Sequence, residues 1–240
     1  MSASKQNYSV REFAKVRSLV TDPLDAAQKK NIVCAGFDLD ISRFRNESKE
    51  KGVGFFSRMV YAVSRTVEKN PDFNSYRKGN SRLVVFKEVD ICLMVEKDTG
   101  EEKLPLPYIL RNANNKSLEE IDSELKIARE GDLHEIYLHK HMKLYIHTPK
   151  FLRKLFWHFI LKNPFEFQKR LGTVAITALH GKGVKNFHFS PLSPYTLTMA
   201  FGSINKDENG REIMKTTMCM DHDIVDGMEV MQFIRTLSEC

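Results

Sequence analysis

Residues 220–227 read Met-Asp-His-Asp-Ile-Val-Asp-Gly, and this stretch joins the last predicted strand to the C-terminal helix. His222 and Asp226 stand four positions apart in it, and Gly227 closes it as a tight turn. A carboxylate at that spacing can fix an imidazole in one tautomer, and a neutral imidazole held in this way is suited to act as a general base. The motif is short, so a solvated turn histidine explains it as well as a catalytic one does.

Hydrophobic periodicity around this stretch predicts mixed strands and helices. Strands are predicted at 173–178, 195–203 and 212–220. The chain then ends in a predicted amphipathic helix over 229–237. Nearer the N-terminus, alternating apolar residues predict a strand within 31–44, and a helical stripe predicts a helix over 54–70. That helix should end at Asn70, because the residue before a proline is disfavoured in the helical region.

The middle of the chain carries a predicted hairpin and two predicted helices. Residues 83–86 and 90–95 are expected to pair as the hairpin, and residues 105–110 to be extended. Ser117, with a glutamate three positions later, forms a capping box and predicts a helix start. The segment 148–170 has one apolar helical face flanked by cations. This face is expected to be buried within an assembly, and the alternative is a membrane-surface helix.

The composition is that of an ordinary globular protein. The chain has 240 residues, of which 42% are hydrophobic, 10% aromatic and 28% charged, and this size suits one domain. Its net charge of +6 fits a phosphate-bearing small ligand as well as weak nucleic-acid contact. Because no zinc-finger spacing or RNA-binding aromatic run is present, nucleic acid is not an expected partner.

The four cysteines indicate an intracellular protein with reduced thiols. Cys34, Cys92, Cys219 and Cys240 are widely spaced, and no two of them form a CxxC pair. We therefore expect buried free thiols rather than a disulfide framework. The first eight residues are polar and lack the apolar core of a signal peptide, and no run approaches the ~18 apolar residues that a membrane span needs. The predicted compartment is the cytoplasm.

Several segments resemble one known superfamily. The HxxxDG stretch at 222–227, placed before an amphipathic helix, resembles the active-site signature of the chloramphenicol acetyltransferase-like superfamily. The chain is most similar to the catalytic domain of the 2-oxoacid dehydrogenase (dihydrolipoamide) acyltransferases. Segments that resemble this family in the same order lie at 37–41, 55–73, 89–95, 111–121 and 172–179. The resemblance covers residues 30–240.

The resemblance implies a mixed α/β fold of the chloramphenicol acetyltransferase type, a two-layer sandwich with a mixed sheet. It implies one catalytic domain over residues 1–240, with residues 1–30 as an N-terminal arm. The lipoyl and peripheral-subunit-binding domains of longer relatives are not expected, because the similarity begins almost at once.

The resemblance also assigns roles to particular residues. In the family, the HxxxDG histidine takes a proton from a thiol or hydroxyl acceptor, and this role falls on His222. A strand hydroxyl donates to the tetrahedral oxyanion, and Thr177 occupies the matching position. The motif aspartate orders the loop through an arginine near the N-terminus. Asp226 takes this role, with Arg17 as the candidate partner and Arg11 as the runner-up.

The implied substrate is coenzyme A or acyl-coenzyme A, with no metal and no covalently attached lipoate. The acceptor would be a small molecule or a lipoyl-type thiol. Because the family places the histidine of one subunit opposite the hydroxyl of its neighbour, a homotrimer is implied. Lys116 and Ser117 are candidates for binding the phosphates of coenzyme A at a helix start, although a plain helix cap is the favoured explanation of Ser117.

Three positions depart from the family pattern. Asp223 stands where dihydrolipoamide acyltransferases usually carry arginine, Asp221 where chloramphenicol acetyltransferases carry a second histidine, and His180 where longer relatives carry glycine. These departures leave the identity of the acceptor open.

Two alternatives to the enzyme stay open. One is a non-catalytic trimeric scaffold or regulatory relative, and the other is a membrane-surface protein that uses residues 151–167. A metal site is not expected at His139 and His141, because no carboxylate or cysteine nearby completes a recognisable ligand spacing.

Overall fold

The computed structural model describes residues 8–98, 103–131, 144–179 and 184–240. The strands of these ranges are β1 (Ile32–Asp40), β2 (Ser75–Lys78), β3 (Arg82–Val85), β4 (Ile91–Asp98), β5 (Lys103–Leu110), β6 (Val174–Ala178), β7 (Leu197–Lys206) and β8 (Glu212–Asp221). The helices are α1 (Ser18–Ala27), α2 (Ser42–Glu50), α3 (Phe55–Lys69), α4 (Leu118–Glu130), α5 (Lys150–Lys162), α6 (Pro164–Leu171) and α7 (Gly227–Glu239).

Six strands form a mixed sheet in the order β1-β8-β7-β6-β4-β5. β6 runs parallel to both of its neighbours, β4 and β7, and the other pairs in this sheet are antiparallel. β2 and β3 form a separate antiparallel pair. The predicted mixed α/β class with a mixed sheet is therefore confirmed.

The main core lies between one face of the sheet and the helices α2, α3, α4 and α7. Met59 and Val63 of α3 are fully buried there, as the helical periodicity predicts. The ring of Phe233 on α7 lies 4.7 Å from the ring of Phe73, which follows α3. The helix that carries the end of the HxxxDG motif is thus anchored in the largest apolar cluster of the described residues.

A second, smaller cluster covers part of the other sheet face. Cys92 of β4 and Ala175 of β6 pack there against Ile160 of α5 and Phe167 of α6. The single helix predicted over 148–170 is two helices, because Pro164 has no N–H to donate and begins a new one.

The apolar face predicted for this segment is largely exposed within one chain. Phe151, Leu155 and Phe159 are each more than half exposed. Ile160 is the one buried residue of α5, and it packs in the smaller cluster. Among the helices of the described ranges, none has the length and apolar character to cross a bilayer. Burial of this face within an assembly stays a prediction.

The predicted hairpin is wrong. β3 pairs with β2, whereas β4 pairs with β5 on one side and with β6 on the other. Both hydrogen-bonding edges of β4 are therefore occupied, and no edge remains for β3. Strands that follow each other closely in sequence often pair as a hairpin. Here β5 occupies one edge of β4 and β6 occupies the edge that β3 would need.

The prediction of four free thiols is wrong for two of them. Cys34 of β1 and Cys219 of β8, 185 residues apart in sequence, form a disulfide. The antiparallel register places these two residues directly opposite each other. Cys92 and Cys240 are free thiols, as predicted.

Two helices were not predicted at all. Residues 41–44 fall within the range of the predicted first strand, but Asp40 accepts a hydrogen bond from the Ser42 N–H at 3.0 Å, and α2 begins at that turn. Only Phe44 and Ser48 of α2 are buried, so the sequence of this helix carries little hydrophobic periodicity. α1 lies in the predicted N-terminal arm and is tied to α5 by an ion pair between Asp22 and Arg153, with N and O atoms 2.6 Å apart.

Candidate functional site

His222 follows the last residue of β8, in the turn that leads into α7. Its N–H donates to the Asn31 carbonyl, with N and O atoms 2.9 Å apart. Its Nδ1 lies 3.1 Å from the Val225 carbonyl oxygen and 3.3 Å from Oδ1 of Asp226. The side chain is half exposed, so a ligand can reach it.

These contacts select one tautomer of His222. A carbonyl oxygen can only accept, so the contact with Val225 places the ring proton on Nδ1. The Nε2 atom then carries the free lone pair. A neutral imidazole oriented by its Nδ1–H is the arrangement that a general base needs.

Asp226 is the N-cap of α7, and it is largely exposed. Its backbone N–H donates to the Glu229 carboxylate at 3.2 Å, in the capping box that begins this helix. A carboxylate here also faces the positive end of the helix dipole. Asp226 therefore positions both the helix start and Nδ1 of His222.

Asp221 is the buried anchor of the turn. Its carboxylate lies 2.8 Å from the Lys30 ammonium, and its carbonyl accepts the N–H groups of Ile224 and Val225. The Lys30 ammonium lies 4.2 Å from the ring centre of Tyr76, a cation–π distance. Burial lowers the pKa of Lys30, and the neighbouring Asp221 carboxylate partly offsets this effect.

Asp223 is held from the opposite side of the turn. It accepts hydrogen bonds from the Asn31 side chain at 2.9 Å and from Arg77 Nη1 at 2.7 Å. The hydrogen bond from Asn31, followed by that from Arg77, lowers the pKa of Asp223. The acidic departures from the family pattern thus have basic or amide partners in this chain. Sequence reasoning missed Lys30, Asn31 and Arg77, because nothing in the local pattern pairs them with residues about 150 to 190 positions away.

Thr177 lies on β6, half-buried, on the sheet face opposite the main core. It is level with Ala200 of β7, which is level with Thr217 of β8. His222 comes five residues after Thr217. Thr177 and His222 are therefore ~16 Å apart along the strand direction alone. One chain does not bring the two predicted catalytic residues together.

The predicted arginine partners of Asp226 also lie elsewhere. Arg17 ends a short 3-10 turn whose Val16 packs against Leu106 of β5, at the far edge of the sheet. β7, β6 and β4 stand between β5 and β8. Arg11 lies in the exposed segment before this turn. Within one chain, neither predicted pairing is formed.

The candidates for coenzyme A binding lie at the start of α4. The Ser117 hydroxyl accepts the Glu120 N–H at 3.1 Å, and the Glu120 carboxylate accepts the Ser117 N–H at 2.7 Å. The capping box is therefore confirmed. The Lys116 ammonium forms an ion pair with the Glu124 carboxylate. No shared contact links these two residues to the His222 turn in the described ranges.

Most of the histidine cluster lies outside the described residues, as does the departure from the family pattern at His180. His134, His139, His141 and His180 are in those undescribed segments, and only His147 of the cluster is described. Within the described ranges, no three histidine, cysteine, aspartate or glutamate side chains are grouped so that they could hold a metal ion.

The first half of the sequence matches a known protein family. Residues 11–136 match the family model described as 2-oxoacid dehydrogenases acyltransferase (catalytic domain). The chain belongs to this family of acyltransferase catalytic domains. No curated protein sequence matches the chain.

Solved structures show the same fold over nearly the whole chain. The catalytic core of the 2-oxoacid dehydrogenase multienzyme complex from Thermoplasma acidophilum is 17% identical, with a TM-score of 0.68 over 97% of each chain. Dihydrolipoamide acetyltransferase from Azotobacter vinelandii is 16% identical, with a TM-score of 0.68 over 98% of this chain and 92% of that one. A chloramphenicol acetyltransferase is 13% identical, with a TM-score of 0.55 over 98% of both chains. The predicted chloramphenicol acetyltransferase-like fold is confirmed.

Proposed function

We propose that this protein transfers an acyl group between acyl-coenzyme A and a thiol or hydroxyl acceptor, with His222 as the general base. The observation that carries the proposal is the contact between His222 Nδ1 and the Val225 carbonyl, which leaves Nε2 free on an exposed turn. Family membership supplies the reaction class. The cytoplasm stays the predicted compartment.

The chemical step follows from these residues. Nε2 of His222 takes the proton of the acceptor as its sulfur or oxygen attacks the thioester carbon. The carbonyl oxygen becomes an oxyanion, and the Thr177 hydroxyl donates a hydrogen bond to it. The intermediate then collapses, the coenzyme A sulfur leaves, and that sulfur receives the proton from His222.

A homotrimer is part of the proposal. Because Thr177 and His222 are far apart in one chain, the site needs the hydroxyl of a neighbouring subunit. Asp226 orders the His222 turn. The four-residue spacing of His222 and Asp226 has a parallel in the Azotobacter vinelandii acetyltransferase. The residues addressed in the catalytic mechanism of that enzyme are a serine, a histidine and an asparagine four positions after the histidine.

The experiment measures thiol release from acyl-coenzyme A with a panel of small thiols, alcohols, amines and free dihydrolipoamide. His222→Ala should lower turnover by ~10² to 10⁴, because it removes the base. Thr177→Val should lower kcat more than it raises KM, because the oxyanion exists only on the path to the transition state. His158→Ala, an exposed histidine on α5, is the matched control and should keep wild-type turnover.

Two outcomes would decide against the proposal. Wild-type turnover by His222→Ala would exclude the assigned base. No turnover with any acceptor, together with no coenzyme A binding in calorimetry, would favour the non-catalytic trimeric scaffold.

A further inference from the structure

A pocket of about 410 Å³ opens beside β1 and β8, on the sheet face that carries Thr177. Its walls include Cys34, Phe37, Thr217, His188 and Ser190. The first three come from the sheet, and the last two come from the segment that precedes β7. The pocket is separate from the His222 turn, which lies beyond the end of β8.

The segment that closes the pocket is held firmly against the sheet. The Phe187 N–H donates to the Ser203 hydroxyl at 2.8 Å, and the Ser203 N–H donates to the Phe187 carbonyl at 3.1 Å. A side chain at Gly202 would place its Cβ 2.2 Å from the Phe187 carbonyl oxygen, so only glycine permits this close approach. The pocket wall is therefore a built part of the fold.

The Cys34–Cys219 disulfide forms one wall of the pocket, and its two sulfurs differ in access. Cys34 is exposed and lines the pocket, whereas Cys219 is 1% exposed. Thiol–disulfide exchange begins with attack of a thiolate on one sulfur. Cys34 is therefore the accessible half of the disulfide, and Cys219 is the buried half.

The charges around the opening favour a small uncharged ligand. Asp38 contributes the only carboxylate among the pocket-lining residues, and both of its oxygens lie 2.8 Å from the Lys215 ammonium. The ion pair leaves little net charge at the rim. The disulfide adds apolar surface at Cys34, while the Phe37 side chain packs toward the main core on the other face of the sheet.

The disulfide also joins the two strands that hold the His222 turn. β1 is an edge strand, so within the sheet it pairs with β8 alone. Lys30 and Asn31, just before β1, make the contacts with Asp221, His222 and Asp223 described above. Cys34 lies two residues into β1 from the Ile32–Asp221 pair. Loss of the covalent link would loosen the strand end that supports the turn.

We propose that this pocket admits a small dithiol that reduces the Cys34–Cys219 disulfide, and that reduction loosens the His222 turn. One ligand thiol gives up its proton, and the resulting thiolate attacks the sulfur of Cys34 and forms a mixed disulfide. Cys219 leaves as a thiolate and takes up one proton to become a thiol. The second ligand thiol attacks the mixed disulfide, releases Cys34 as a thiol and closes the ligand to a cyclic disulfide. Two electrons pass from the ligand to the protein, and the ligand is oxidised.

The first experiment follows the thiols of the purified, folded protein with dithiothreitol as the probe. Samples are quenched with N-ethylmaleimide at intervals, and each cysteine is read by peptide mass spectrometry. Cys34 and Cys219 should be unlabelled at the start and become labelled together. Cys92 is the internal control that stays unlabelled, because burial raises the pKa of its thiol to about 11.

A pocket variant tests the route of attack. Ser190→Trp fills the opening and should slow the reduction by about tenfold, since access limits exchange. Ser238→Trp, on the exposed side of α7, is the matched control and should leave the rate unchanged. Equal rates in both variants, or labelling of Cys34 before any reductant is added, would overturn the proposal.

Hydrogen exchange tests the link to the turn. The His222 amide, which is bonded to the Asn31 carbonyl, should exchange faster after reduction, while amides at the centre of α3 should not change. An unchanged His222 amide would overturn the coupling. The thiol-labelling experiment is repeated in His222→Ala, where the rate of reduction should stay the same. Reduction is thus measured independently of acyl transfer, and failure of one idea does not imply failure of the other.

Discussion

At the residue scale, the candidate base is positioned by residues that the HxxxDG motif does not contain. Lys30 neutralises the buried Asp221, while Arg77 and Asn31 hold Asp223. These contacts hold the residues on either side of His222, whose ring contacts Val225 and Asp226. The unusual acidic pair around the histidine is therefore compensated in three dimensions.

Asp223→Asn should lower the free energy of unfolding at pH 7 by about 1 kcal/mol or less, because the side chain is one-third exposed and solvent screens its charge. The pKa of Asp223 is lowered in the folded state, so its contribution is fully present above its unfolded pKa of about 3.9 and is lost as the pH falls through the lower folded value. Urea unfolding between pH 7 and pH 2 measures the difference.

The control for this variant is Asp25→Asn, at an exposed position on α1, which should leave stability nearly unchanged at each pH. A difference between wild type and Asp223→Asn that stays constant down to pH 2 would contradict the ionic origin of the effect.

At the element scale, α7 begins at the last residue of the HxxxDG motif and also fills the core. Val230, Phe233 and Leu237 are its buried residues, spaced at three and four positions. The helix start is therefore fixed by packing along its length as well as by its capping box. Order in the His222 turn depends on this packing.

Phe233→Ala should destabilise the protein by about 3–5 kcal/mol, because it removes a fully buried ring that contacts Phe73. Met228→Ala, on the same helix but 83% exposed, should change stability by less than about 0.5 kcal/mol. Chemical denaturation of both variants provides the measurement. Similar losses in the two would show that α7 does not pack as described.

The start of α4 allows a direct test between a cap and a ligand site. Ser117→Ala should lower the free energy of unfolding by about 1 kcal/mol, because the Glu120 N–H loses its acceptor. Coenzyme A affinity, measured by calorimetry, should stay the same. Ser123→Ala, on the exposed face of α4, is the control for stability. Weaker binding at unchanged stability would instead support a role of Ser117 in holding the phosphates.

At the scale of the whole molecule, the mixed sheet separates the two proposed catalytic groups. Thr177 lies near the carboxyl end of β6, and His222 lies beyond the carboxyl end of β8. β7 runs between them, parallel to β6 and antiparallel to β8, so these two ends point in opposite directions. The site that we propose therefore needs Thr177 and His222 from different copies of the chain.

Co-expression of His222→Ala with Thr177→Val should restore activity that neither variant has alone. In a trimer with shared sites, equal random mixing pairs an intact histidine with an intact threonine at about one site in four. Turnover should therefore recover to about a quarter of the wild-type value. Light scattering on the same samples should return the mass of a trimer.

Two results would contradict the shared site. A monomer in light scattering at micromolar concentration would exclude it. No recovery in mixed trimers, despite activity in the wild type, would show that both groups act within one chain.

Local patterns were sufficient where the physics is local. The helical stripe of α3 and the capping box of Ser117 involve neighbours within one or two turns, and both predictions are confirmed. The ordered segments also identified the family, and thereby the fold and the candidate residues His222, Thr177 and Asp226. Strand order, the pairing of β3 and the helix α2 were outside the reach of such patterns, because edge occupancy and burial depend on distant strands.

The tertiary structure alone decided which distant groups meet. The Cys34–Cys219 disulfide and the contacts of Lys30, Asn31 and Arg77 with the His222 turn join residues about 150 to 190 positions apart. The disulfide and the contacts of Lys30 and Asn31 follow from the register of β1 against β8, whereas the Arg77 contact follows from the placement of β2 beside the turn. No local period encodes either arrangement. The sequence therefore determined the class of the protein and its candidate base, while the register of the sheet decided what supports that base and how far it lies from Thr177.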